Sequence, residues 1–182
     1  GDAGGLEGFV GGDRTTIVLP AIQTEVMKRL NLLGKSLIFI CMSGGAMSFN
    51  WEVENLPVII QAWYGGQSTG TALADILFGR YNPSGKLPVT FYHSDADLPP
   101  IKDYSMSNRT YRYFGGDVLY PFGYGLSYTS FKYKKLECPS EVQIGDTLNV
   151  KVEVSNTGKF AGEEVVQLYL SHKAIAQEAP LC

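Results

Sequence analysis

Two histidines and three cysteines give this chain little with which to hold a metal. Cys41, Cys138 and Cys182 are an odd number without metal-ligand spacing, and nothing around His93 or His172 resembles a metal site. We therefore expect no metal and no other cofactor. Charge of one sign is also missing: 15 Lys and Arg face 18 Asp and Glu, a net charge of −3. That balance gives no electrostatic reason to expect nucleic acid or an anionic membrane as a partner. Long apolar runs are absent too. The longest, over residues 37–42, is the size of a strand and far short of a membrane span. The opening Gly1-Asp2-Ala3-Gly4-Gly5 has neither a basic region nor an apolar core, so it does not read as a signal peptide.

What is present reads first as α/β. Ile22, Val26, Met27, Leu30 and Leu33 recur at helical spacing after Pro20 and stop at Gly34. Residues 36–42 and 57–63 read as strands buried on both faces, as parallel strands are, and Cys41 belongs to the first as a small buried hydrophobe. Residues 71–78 form a short amphipathic pattern closed by Gly79. This order predicts a mainly parallel sheet with helices against it. Functional loops in such sheets gather at the carboxyl ends of the strands, here Ser43-Gly44-Gly45 and Tyr64-Gly65-Gly66.

The pattern then changes. Residues 93–117 are polar and rich in turn formers, which predicts a long surface excursion. Leu148, Val150, Val152 and Val154 alternate with polar residues, Asn156-Thr157-Gly158 offers a turn, and Val166, Leu168 and Leu170 alternate again. A half-buried antiparallel hairpin is expected there. Between the two regimes lies Tyr120-Pro121-Phe122-Gly123-Tyr124-Gly125-Leu126-Ser127-Tyr128-Thr129-Ser130-Phe131, with five aromatics and two glycines. Glycines allow tight turns and rings fill the space between layers, as at a rigid corner.

The wording of this segment resembles the junction of glycoside hydrolase family 3, the β-glucosidase and β-xylosidase family. Other blocks follow in the same order. Gly12-Asp13-Arg14-Thr15-Thr16-Ile17 with Leu19-Pro20 and Gln23 resembles the family's GGDRT segment. Gln61-Ala62-Trp63-Tyr64-Gly65-Gly66-Gln67 is similar to its AWYGGQ turn. Ala72 to Gly79, Asn82 to Phe91 and Arg109-Thr110-Tyr111-Arg112-Tyr113 match further blocks. The resemblance implies a partial α/β sandwich domain over residues 1–130. It implies a truncated all-β, fibronectin type III-like sandwich over residues 131–182, about half of the roughly 100 residues such a sandwich needs. The blocks look closest to the β-xylosidase-like branch, and the family favours a periplasmic or secreted location.

Glycoside hydrolysis takes two carboxyl groups, one as nucleophile or base and one as general acid. By the resemblance, the nucleophile is an aspartate on a preceding (β/α) barrel that this chain does not contain, and the acid/base is a glutamate just ahead of the DR segment. Glu7 is the candidate; the alternative is a glutamate upstream of Gly1. Asp13 and Arg14 are expected to pair as scaffold. Trp63 and Tyr64 offer either a sugar-stacking face or core packing. Glu52 and Glu54, after Trp51, read as structural. Gly65-Gly66-Gln67-Ser68-Thr69-Gly70 lacks the Lys-Ser/Thr ending of a phosphate loop and fits the family turn better. The implied partners are an oligosaccharide or aryl β-glycoside and the barrel of the same protein. Two rival readings are a non-catalytic carbohydrate-binding or scaffold module and a nucleotide-binding flavodoxin-like module.

Overall fold

The computed structural model describes residues 9–10 and 13–170, with side chains from residue 14 onward. They fall into two compact units. Gly1–Thr69, Leu87–Tyr124 and Leu168–Cys182 make the first, so far as described, and Gly70–Lys86 with Gly125–Gln167 the second.

The first unit opens on a short antiparallel pair, β1 (Phe9–Val10) with β2 (Asp13–Arg14). Helix α1 (Ala21–Asn31) follows Pro20, which stands just outside it. Gly34, at φ +66°, takes the left-handed conformation that ends such helices. Lys28 and Arg29 lie in the last turn, where the carbonyl end of the helix attracts cations.

The parallel sheet is confirmed in a smaller form than the sequence suggests. β3 (Ile38–Cys41) pairs in parallel with β4 (Val58–Gln61), from Ile38↔Val58 to Cys41↔Gln61. The crossover between them carries α2 (Asn50–Asn55). A further parallel bridge joins Val18 to Ser48. The strands are not buried on both faces: only Cys41 among their residues is fully buried. Each has a single strand neighbour among the described residues, so their apolar side chains stay half covered.

Leu19, Cys41, Met47, Phe49 and Phe91 form the core of this unit. Phe49 meets Phe39 edge to face at 5.8 Å and Phe91 at 5.9 Å. The aromatic segment enters the same core. Phe91 and Tyr120 exchange two backbone hydrogen bonds, and Leu87 does the same with Tyr124 and Gly123. The long excursion between them contains a 3-10 turn (Asp95–Asp97) and a single helical turn, Thr110–Tyr113. The carboxylate of Asp95 accepts from the Thr16 hydroxyl and the Ile17 N–H, which fastens the excursion to the chain entering α1.

Helix α3 (Thr69–Leu77) leads into the second unit and ends at Gly79, again left-handed at φ +70°. There β4's successor β5 (Phe131–Glu137) pairs antiparallel with β6 (Lys151–Asn156). The hairpin expected between residues 148–154 and 166–170 is not formed; β6 takes β5 as its partner instead. Asn156 gives the reason. Its Oδ1 accepts from the Thr129 hydroxyl at 2.7 Å and the Gly158 N–H at 3.0 Å, and its Nδ2 donates to Phe160 O at 2.8 Å. These bonds turn the chain out of the ladder, and Thr157 N then reaches Ser130 O at 2.8 Å.

Candidate functional site

The carboxyl ends of β3 and β4 converge on Ser43. Cys41 Sγ donates to Ser43 Oγ at 3.6 Å, Gln61 Nε2 donates to the same oxygen at 3.0 Å, and Ser43 Oγ donates to Gly45 O at 2.8 Å. Ser43 is buried, so this cluster locks two adjacent strand ends together rather than offering a free hydroxyl. Burial pushes the Cys41 thiol above its ordinary pKa, with the Ser43 contact opposing the shift, which leaves it a poor nucleophile at neutral pH.

Beyond β4 the two aromatics part company. Trp63 adopts φ +55°, a left-handed conformation that a bulky side chain rarely takes, and packs edge to face on Phe91 at 6.1 Å. That turn throws Tyr64 outward, where 73% of it is exposed. The Tyr64 ring lies over Gly44, so close that a Cβ there would meet it at 2.9 Å. The two glycine loops anticipated from the strand ends therefore do meet, through Tyr64 and Gly44. Gly65 lies against the Thr69 side chain with no room for a Cβ, and the Thr69 hydroxyl donates to Gly66 O at 2.7 Å. The glycine turn is thus closed by its own hydroxyl.

Of the other residues singled out, Glu7 lies outside the described residues. Asp13 stands in β2 opposite Val10. Arg14, in the same strand, directs Nη1 to the Met47 thioether. Glu52 is 1% exposed and accepts from the Thr24 hydroxyl at 2.6 Å, tying α2 to α1. Sequence reasoning did not find the Ser43–Gln61 contact or the fit of Tyr64 on Gly44. Both depend on strand register, and register leaves no local mark in composition. Among the described residues no group of three His, Cys, Asp or Glu is placed to hold a metal, and no helix is long and apolar enough to cross a membrane.

Residues 3–128 match the glycosyl hydrolase family 3 C-terminal domain. The chain belongs to that family. A xylan 1,4-beta-xylosidase of Xylanibacter ruminicola is 52% identical over 91% of this chain and 19% of its own length. A periplasmic beta-glucosidase of Salmonella typhimurium is 36% identical over 92% of this chain and 24% of its own. Beta-glucosidase 3B of Thermotoga neapolitana, solved in complex with glucose, superposes with a TM-score of 0.71 at 34% identity, over 80% of this chain and 23% of that one. The chain thus spans about a fifth to a quarter of the relatives it matches.

Proposed function

We propose that this chain is the C-terminal part of a retaining, exo-acting β-glycosidase that removes terminal β-D-xylosyl or β-D-glucosyl residues from oligosaccharides. The observation that carries this is the family match across residues 3–128, shared with relatives named for each activity. In this reading residues 1–130 are the α/β sandwich domain and residues 131–182 begin a fibronectin type III-like domain; the antiparallel β5–β6 pair supports the second assignment. Glu7 is the proposed acid/base and Tyr64 a proposed sugar contact, with Trp63 holding the turn beneath it and Asp13 and Arg14 serving as scaffold. Tyr64's exposure at the carboxyl end of the parallel pair supports its part. A nucleophile on a barrel outside this chain means that the 182 residues alone hydrolyse nothing. The periplasmic Salmonella relative supports export of the parent.

The test is hydrolysis of aryl β-xylosides and aryl β-glucosides by the full-length parent, with and without Glu7→Gln. Loss of at least about a hundredfold on substrates with poor leaving groups, recovered with activated ones, is the signature of a missing general acid. A nearly silent substitution moves the acid upstream of Gly1 and leaves this chain as scaffold or carbohydrate-binding module. Hydrolysis of neither substrate class would remove the glycosidase reading.

A further inference from the structure

An imidazole and a carboxylate meet in the first unit, at the neck of the polar excursion over residues 93–117. His93 opens that excursion and Asp117 closes it, with His93 Nε2 3.5 Å from Asp117 Oδ2. Asn50 decides which ring nitrogen carries the proton. Its Nδ2 donates to His93 O at 2.8 Å and to Ser48 Oγ at 3.1 Å. Ser48 Oγ gives its own proton to the same carbonyl, so it is free to accept from Asn50. The reversed amide would set one oxygen against another, so Oδ1 is the atom that faces the ring. His93 Nδ1 lies 2.8 Å from that Oδ1 and must donate to it. The neutral ring then turns its Nε2 lone pair toward the Asp117 carboxylate.

Two acceptors that face each other call for a cation between them, and their spacing tells which. A shared proton draws nitrogen and oxygen to about 2.7–2.9 Å. Two ligands on one tetrahedral Zn²⁺, each about 2.0–2.2 Å from the metal, stand about 3.3–3.5 Å apart. The observed 3.5 Å fits the metal. The neighbours act as supports for such a pair. Asn50 fixes the tautomer and orientation of the imidazole, and the Val118 N–H donates to Asp117 Oδ1 at 3.0 Å, which leaves Oδ2 for the ion. Imidazole nitrogen beside carboxylate oxygen suits zinc better than magnesium or calcium, which take oxygen ligands.

We propose that His93 Nε2 and Asp117 Oδ2 bind one zinc ion, with water in its remaining positions, and that the ion ties the two ends of the excursion together. Spacing along the chain does not reveal such a pair, because its members come from opposite ends of a long loop. The proposal is independent of glycoside hydrolysis.

The experiment is carbethoxylation of the chelator-treated, full-length parent with diethyl pyrocarbonate, with Zn²⁺ or Mg²⁺ added and the product located at His93 by peptide mass spectrometry. The reagent attacks a free imidazole nitrogen. The His93 side chain is 41% exposed, so it is expected to react when no metal is added. Zn²⁺ is expected to slow that reaction at least about tenfold, with half protection below about 1 mM, and Mg²⁺ to leave it unchanged. Asp117→Asn alters a side chain that is 96% exposed, so the fold should tolerate it. That variant is expected to raise the Zn²⁺ needed by about tenfold. The proposal is overturned if His93 is inert without metal, or if Zn²⁺ up to about 1 mM gives no protection. Equal protection by Mg²⁺, or an Asp117→Asn variant that behaves as the native protein, overturns it too.

Discussion

Glu52 is the most consequential buried charge among the described residues, and its function is structural adhesion between two helices. With 1% exposure it depends on the Thr24 hydroxyl at 2.6 Å. Thr24→Val removes that donor and leaves a carboxylate oxygen buried, so unfolding in urea should show a loss of about 1–3 kcal/mol. Cys41 gives a pH-dependent counterpart. Its folded pKa is raised by burial, so the folded state holds the thiol proton more tightly than the unfolded state. The associated stability is whole below the ordinary thiol pKa and is lost as pH rises through the folded value. Alkylation at mildly alkaline pH should therefore label exposed Cys138 well before Cys41; equal rates would contradict the burial argument. The burial of Cys41 was legible in its apolar run. That of Glu52 was not, because a charge flanked by Trp51 and Val53 looks the same whether it meets solvent or a threonine from another helix.

Turns distinguish strain from crowding at the level of elements. Gly79 ends α3 at φ +70° with open space where a Cβ would stand, so Gly79→Ala should cost about 1–2 kcal/mol through backbone strain alone. Gly125, in the aromatic segment, is crowded instead: an added Cβ would meet Gly85 O at 2.3 Å. Gly125→Ala should destabilise by about 1–3 kcal/mol through displacement of that carbonyl. Asparagine, which tolerates left-handed backbone, should recover much of the loss at position 79 and none at 125, read as urea midpoints. Helix α1, α3 and the parallel pair were legible because their apolar periods are strong. α2 was not, since six residues with four polar side chains give no stripe. The β5–β6 pairing was missed because alternation marks a strand without naming its partner.

At the scale of the molecule, Ile22, Val26 and Leu30 of helix α1 and Leu33 just past its end are substantially exposed, although their spacing is that of a core-facing stripe. If the parent protein covers such surfaces, the isolated chain should self-associate. Sedimentation velocity should show concentration-dependent association that weakens in a Val26→Lys, Leu30→Glu double variant. A sharp monomer boundary for the native chain would count against this.

The sequence by itself determined the family, the α/β class, the ends of α1 and α3, and where the strand-end loops begin. Each rests on a local signal: a motif, a period or a terminating glycine. Only the tertiary structure decided that Trp63 turns inward while Tyr64 lies over Gly44, and that Ser43 joins Cys41 to Gln61. These depend on register and on contacts between distant segments. Local chemistry fixes which residues can turn or pair, whereas packing selects which of those possibilities share a space.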